Sequence, residues 1–69
     1  MEIIVNGKAR DVEAPLSVAQ LLDALSMRPE MVHVQVNGEM VPREKMAAVT
    51  LQEHDEVDIV MAMGGGRRL

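Results

Sequence analysis

Apolar residues alternate along residues 31–36 as they do in a half-buried strand. Three valines fall on one side of this run, because successive side chains of a strand point to opposite faces. Runs rich in β-branched residues predict two further strands, at residues 2–5 and 56–61. These two runs are the most apolar in the chain, so we expect both near the middle of a sheet.

Two Asn-Gly pairs mark tight turns between strands. Asn6-Gly7 and Asn37-Gly38 suit type I′ hairpin turns, in which both central residues need a positive φ. The polar residues 8–12 are the expected return strand of the first hairpin, at a sheet edge. A short extended piece, residues 40–43, follows the second turn, and Pro42 confines it to an edge.

One helix is predicted from an apolar stripe with the i, i+3, i+4, i+7 spacing of a helix face. The stripe consists of Val18, Leu21, Leu22 and Leu25. Ser17 is the expected N-cap, and Gln20 completes a capping box three residues later. Pro29 ends the helix or follows its end closely. A weaker helical turn is expected at residues 44–48, and Leu51 is expected in the core.

The element order is therefore β-β-α-β-β-β. It predicts an α+β domain, in which one main helix packs across one face of a mixed sheet of four to five strands. If the first and last strands lie side by side and parallel, this arrangement is the β-grasp fold. We assign residues 1–63 to this domain and residues 64–69 to a flexible glycine-rich tail with an Arg-Arg-Leu extension.

The tail begins with Gly64, Gly65 and Gly66, directly after the last apolar run. Glycine has no Cβ, so an extended glycine segment passes through a channel too narrow for other residues. A chain cut after Gly66 would end in a slim carboxylate that partner enzymes can activate and unload. On the tail alone, an inert glycine stretch with a basic stub is an equally good interpretation.

Composition narrows the classes of function. A chain of 69 residues has room for one thin core and little substrate pocket, which argues against an enzyme that acts alone. Without cysteine there is no thiolate nucleophile or cysteine–zinc site, and a cytoplasmic location is expected. The net charge of −4 and the lack of aromatic residues argue against nucleic acid. They favour a protein partner with a basic docking face, and no run is long enough to span a membrane.

The other polar residues have ordinary structural interpretations. His33 and His54 have no metal-ligand spacing, so no metal site is expected. Four carboxylates near the last strand are more consistent with a solvated surface or a docking role than with catalysis; they are Glu53, Asp55, Glu56 and Asp58. Ser17 is better explained as a helix cap than as a nucleophile, and Arg43 is a candidate docking residue.

Three segments resemble the ThiS family, the bacterial sulfur carriers of thiamine biosynthesis. They are Ile3-Ile4-Val5-Asn6-Gly7, Val36-Asn37-Gly38-Glu39-Met40-Val41-Pro42-Arg43-Glu44, and the stretch from Leu51 through Asp55-Glu56-Val57-Asp58-Ile59-Val60 to Gly64-Gly65-Gly66. Together they cover almost the whole chain. The most specific combination is the Val-Pro-Arg segment with a C-terminal double glycine. The resemblance implies a ubiquitin-like β-grasp carrier.

In that family a separate activating enzyme uses ATP to adenylate the C-terminal glycine, which becomes a thiocarboxylate and gives its sulfur to thiazole synthase. Applied to this sequence, the resemblance makes Gly66 the modified residue and Gly65 its partner in the double glycine. Gly64 to Gly66 would be the part of the tail that partners bind. The resemblance implies a carrier that has no catalytic residue or bound cofactor of its own and is a monomer when alone.

The sequence departs from the family pattern after Gly66, where Arg67-Arg68-Leu69 follow. With these residues attached, Gly66 has a peptide carbonyl and no carboxylate to adenylate. We therefore expect either a precursor that a processing protease shortens or a chain with added residues. Cleavage after Gly65 would change the terminal residue but keep a double glycine.

Three functions stay open at the level of sequence. The first is a sulfur carrier for thiazole formation. The second is a related carrier for molybdopterin or amino acid synthesis, or a protein modifier with the same tail. The third is a β-grasp interaction module with an inert tail. The Val-Pro-Arg segment favours the first over the second, and the acidic charge without aromatic residues argues against the third.

Overall fold

The computed structural model describes residues 1–62 of the chain. Its main elements are strand β1 (Glu2–Val5), strand β2 (Lys8–Asp11), helix α1 (Val18–Ala24), strand β3 (Val32–Val36), strand β4 (Glu39–Val41) and strand β5 (Glu56–Met61). Two short 3-10 helices, Pro29–Met31 and Arg43–Lys45, precede β3 and follow β4.

The five strands form one mixed sheet in the order β2-β1-β5-β3-β4. The neighbours β1 and β5 are parallel, with Val5 opposite Val57. The other neighbouring pairs are antiparallel. The first and last strands are thus central and parallel, and α1 lies between the two hairpins in sequence. This confirms the predicted α+β fold, a ubiquitin-like β-grasp.

Both hairpin turns have the predicted geometry. Asn6 and Gly7 have φ of 49° and 83°, and Asn37 and Gly38 have φ of 53° and 84°. All four values are positive, as a type I′ turn requires. The hairpins they form, β1–β2 and β3–β4, place β2 and β4 at the two sheet edges, as expected.

Three strands, and the helical turn after β4, have boundaries that differ from the predicted ones. Met31 belongs to the 3-10 helix that starts at Pro29, so β3 begins one residue later. Strand β4 is Glu39–Val41 and ends before Pro42, because proline has no N–H to continue the ladder. The helical turn expected at residues 44–48 is the 3-10 helix Arg43–Lys45. Strand β2 ends at Asp11, although Val12 N still donates to Met1 O at 2.8 Å.

Helix α1 begins with the predicted capping box. The Ser17 hydroxyl accepts from Gln20 N at 3.1 Å, and Gln20 Oε1 accepts from Ser17 N at 2.8 Å. The helix ends at Ala24, because Ser26 has a φ of 59° and turns the chain out of the helical path. Pro29 therefore follows the end of the helix at a short distance.

The core lies between α1 and one face of the sheet. Its buried residues are Ile3, Val5, Val18, Leu21, Leu22, Val32, Val34, Val41, Met46, Leu51, Val57 and Ile59. Leu51 lies in this core, as predicted, and its N donates to Leu16 O at 2.8 Å. No buried residue among the described ones is polar or charged, so the fold depends on aliphatic and methionine packing.

Candidate functional site

Strand β5 is the last element of the described chain, and the glycine tail follows it in the sequence. The predicted site residues Gly64, Gly65 and Gly66 lie outside the described residues 1–62. The extension Arg67–Leu69 and the expected domain boundary at residue 63 lie outside them as well. The structure describes the chain up to Met61 and Ala62, which precede the tail and which we name the tail base.

The tail base is attached to the strand beside it. Val32 lies opposite Met61, and His33 lies opposite Val60. One residue beyond the strand, Ala62 N donates to Met31 O at 2.9 Å. The tail base is therefore fixed in position on one side by β3 and the 3-10 helix before it.

Asn6 fixes β5 from the other side. The last residue pair between β1 and β5 is Val5 with Val57. Beyond it, the Asn6 side chain takes the place of a backbone partner. Its Oδ1 accepts from Ile59 N at 2.7 Å, and its Nδ2 donates to Ile59 O at 3.2 Å. The side chain thereby extends the pairing of β5 by two residues toward the tail base.

Sequence reasoning missed this role, because it treated Asn6 only as a turn residue. The residue type at position 6 could have indicated this role. Of the residues that tolerate a positive φ, asparagine offers both a donor and an acceptor on its side chain. Gly and Asp at the same turn position lack one or both of these groups.

Asn37 makes a similar contact at the opposite end of β5. Its Oδ1 accepts from Glu56 N at 3.0 Å, and its backbone N donates to Glu56 O at 2.7 Å. Its Nδ2 donates to Asp55 Oδ1 at 3.0 Å. The two Asn-Gly turns therefore hold the central strand near both of its ends.

The acidic residues of the last turn lie at the end of the sheet away from the tail base. Glu53 Oε2 accepts from Glu2 N at 2.7 Å, and Asp55 Oδ2 accepts from Gln52 N at 2.8 Å. His54 Nε2 lies 3.6 Å from Glu2 Oε1 and 3.7 Å from Glu53 Oε2. Glu53 and Asp55 thus bind backbone N–H groups, which is a structural role. Asp58 lies within β5 opposite Gln35.

The remaining candidates are dispersed. His33 is exposed on β3, and His54 is exposed in the turn before β5. Within residues 1–62, no group of three or more His, Cys, Asp or Glu is placed to hold a metal ion. No helix in the same part of the chain combines the length and apolar character needed to cross a membrane. Ser17 serves as the helix cap.

Two open clefts flank the tail base. One, of about 280 Å³, is lined by Ser26, Met27, Arg28, Met31, Val32 and Met61. The other, of about 250 Å³, includes Ala62 together with Val41, Pro42 and Arg43. The structure thus brings the Val-Pro-Arg segment next to the tail base. Met31 lines the first of these clefts and is 40% exposed. Met40 lines the second and is 58% exposed.

Comparison with known proteins agrees with this geometry. The model of the ThiS family matches residues 3–66. The chain is 30% identical over 66 residues to the sulfur carrier protein ThiS of Escherichia coli, covering 96% of this chain and 100% of the relative. A crystal structure of a ThiS thiamine biosynthesis protein from Geobacter metallireducens superposes with a TM-score of 0.82 at 40% identity. The match covers 96% of this chain and 100% of that one.

A third relative is much longer than this chain. It is a thiazole synthase of Magnetococcus marinus, 39% identical over 67 residues, which are 97% of this chain and 21% of the relative. The chain therefore spans about a fifth of the length of the thiazole synthases that it matches. With a matching family model over nearly all of its length, and a full-length relative of the same family, this chain belongs to the ThiS family.

Proposed function

We propose that this protein is a sulfur carrier of thiamine biosynthesis. In this proposal Gly66, once exposed as the C-terminus, is adenylated and converted to a thiocarboxylate that donates sulfur for thiazole formation. The observation that carries the proposal is a β-grasp domain whose central strand β5 is followed in the sequence by a triple glycine. The full-length match to a relative named as a sulfur carrier supports it.

The proposed chemistry explains why the carrier needs a free glycine carboxylate. A carboxylate is a poor electrophile, and attack of its oxygen on the α-phosphate of ATP releases pyrophosphate and leaves an acyl-adenylate. A donor that supplies sulfur at the oxidation level of sulfide then attacks the acyl carbon. The C–S bond forms as the C–O bond to AMP breaks, so that a thiocarboxylate replaces the carboxylate. A sulfur atom held on a tether reaches its acceptor at a high effective concentration and is not lost as free sulfide.

The fixed tail base and the length of the tail are consistent with a carrier whose chemistry is performed by partner enzymes. From Ala62 to Gly66 an extended chain spans roughly 16–18 Å at about 3.3–3.6 Å per residue. That distance allows the end of the tail to enter an active site while the domain stays docked outside. The catalytic groups then belong to the partner enzymes, and the carrier supplies the substrate end.

The proposed partners are an activating enzyme, which uses ATP, and a thiazole synthase, in the cytoplasm. Two relatives named as thiazole synthase support the synthase as a partner. Each contains a segment that matches nearly all of this chain, at 39% and 35% identity. A processing protease that removes Arg67–Leu69 completes the proposal, because those residues follow Gly66 in the sequence.

Reconstitution with the activating enzyme of the same organism tests the proposal. We expect pyrophosphate release with ATP and a chain shortened to end at Gly66. The chain that continues to Leu69 has no carboxylate at Gly66 and is expected to give only background release. A chain that ends at Gly66 but gives no release would contradict the carrier function. Equal release from both chains would contradict the need for processing.

A further inference from the structure

Strand β2 carries two cations on the side of the sheet that elsewhere forms the core. Lys8 lies opposite Val5, and Arg10 lies opposite Ile3. Residues directly opposite in an antiparallel pair share a face, and both Val5 and Ile3 are buried. Lys8 and Arg10 are nevertheless exposed, because the single short helix does not cover this edge of the sheet.

The uncovered edge opens into a groove that leads to the tail base. An open cleft of about 220 Å³ lies between β2 and the end of α1, with Lys8, Arg10, Leu25 and Met27 among its lining residues. Met27 also lines the cleft that reaches Met61, so the two clefts are adjacent and share a wall at this residue. We name the surface of both clefts the basic groove. Its apolar floor consists of Leu25, Met27, Met31 and Met61, and its cations are Lys8, Arg10 and Arg28.

The charge of the basic groove is opposite to that of the protein. The chain has 11 acidic and seven basic residues, yet no Asp or Glu lines either of the two adjacent clefts. In the described part of the chain, no carboxylate forms an ion pair with Lys8, Arg10 or Arg28. The cleft on the other side of the tail base is mixed, because it contains Glu30 as well as Arg43.

These features specify the chemistry of a partner. Cations that have no ion-pair partner within residues 1–62, set beside apolar side chains, are complementary to a segment that carries both carboxylates and aliphatic side chains. Methionine side chains are flexible and adapt to the shape of a bound surface. The groove ends at Met61, directly before the five residues Ala62 to Gly66, which span roughly 16–18 Å when extended. An enzyme that receives the end of the tail therefore lies close to this groove.

We propose that the basic groove docks an acidic, aliphatic segment on the surface of the thiazole synthase. This inference rests on the proposed function, since it names the partner that accepts the sulfur. The synthase is preferred over the activating enzyme because relatives named as thiazole synthase hold a matching domain in the same chain. The surface contact orients the carrier and leaves the tail free to reach the acceptor.

Binding of charge-reversed variants to the thiazole synthase of the same organism tests this inference. Arg28→Glu alters the groove, and Lys45→Glu is a matched control at the opposite edge of the sheet, where Lys45 lines a separate cleft beside β4. The double variant Lys8→Glu, Arg10→Glu alters the groove from the β2 side. Thermal unfolding of each variant checks that it is folded. The Arg28 side chain makes no capping hydrogen bond, so Arg28→Glu leaves the backbone contacts of the 3-10 helix in place.

We expect Arg28→Glu to weaken binding about tenfold and the double variant to weaken it further, while Lys45→Glu changes it less than about threefold. Added salt is expected to reduce the difference in affinity between Arg28→Glu and the unchanged chain. Salt screens exposed charges, with a Debye length of about 10 Å at 0.1 M. Equal binding of the groove variants and the unchanged chain would overturn the groove and leave the proposed function intact. A loss of affinity in Lys45→Glu as large as that in Arg28→Glu would also overturn the groove and leave the proposed function intact.

Failure of the unchanged chain to bind the synthase at all would overturn the groove together with the proposed partner. The pyrophosphate assay separates that result from failure of the carrier function, because it requires only the activating enzyme. If the double variant does not fold, Arg28→Glu and its control decide the question.

Discussion

Replacing Asn6 with glycine tests how the central strand is held near the tail. Asn6 has a φ of 49°, and glycine adopts this conformation at no steric cost. The turn is therefore kept while both side-chain hydrogen bonds to Ile59 are removed. These bonds serve partly buried backbone groups of a core strand, so water replaces them incompletely.

The structure gives the size of the expected effect. Each intramolecular hydrogen bond contributes about 0.5–1.5 kcal/mol, so two bonds correspond to about 1–3 kcal/mol. Glycine also raises the entropy of the unfolded chain, which costs about 0.5–1 kcal/mol. In a domain of this size, about 1 kcal/mol lowers Tm by about 4–8 °C.

Asn37→Gly is the matched control. Asn37 has nearly the same φ and also precedes a glycine of positive φ, so the entropic cost of glycine is the same. Its two side-chain bonds are exposed, and water can replace them. We expect the free energy of unfolding in urea to fall by about 1–2 kcal/mol more for Asn6→Gly than for Asn37→Gly.

Amide hydrogen exchange locates the effect. In Asn6→Gly the Ile59 amide loses its acceptor, so its exchange is expected to accelerate more than that of amides between β3 and β4. Equal unfolding free energies for the two variants, with unchanged exchange at Ile59, would refute the assigned role of Asn6.

Three further substitutions test other parts of the structure. Gly66→Ala in a chain that ends at residue 66 is expected to leave thermal unfolding unchanged and to impair pyrophosphate release, because the added methyl clashes in a narrow channel; normal loading would contradict the threading of the tail. Leu22→Ala removes a side chain that is 1% exposed and is expected to lower the free energy of unfolding in urea by about 2–5 kcal/mol. A negligible change in that free energy would contradict the packing of α1 against the sheet. Ser17→Ala removes the cap that binds Gln20 N and is expected to cost about 0.5–2 kcal/mol; an unchanged Tm would show that the capping box adds nothing to stability.

The fold was predictable where local patterns are strong. The Asn-Gly turns, the Ser17–Gln20 capping box and the alternating valines of β3 each depend on residues close in sequence. The two most apolar runs became the central parallel pair, because a central strand loses more contact with water than an edge strand. Residue type and spacing therefore indicated which strands are central, whereas the pairing of β3 with β5 is known from the structure.

Other features depend on tertiary contacts that no local pattern encodes. The contact of Asn6 with Ile59 joins residues 53 positions apart. The polar pattern of β2 predicts an edge strand, but it does not show that Lys8 and Arg10 lie on the helix side of the sheet. The boundary at Met31 shifted because the 3-10 helix begins at Pro29. The role of Gly64 to Gly66 stays a prediction, since these residues lie outside residues 1–62.

Intact mass spectrometry of the protein from its own host, grown without thiamine, tests the central claim most directly. The account predicts a chain that ends at Gly66, with a fraction in which sulfur replaces one oxygen of the terminal carboxylate. Recovery of only the full chain to Leu69, without added sulfur, from cells that are making thiamine would contradict it.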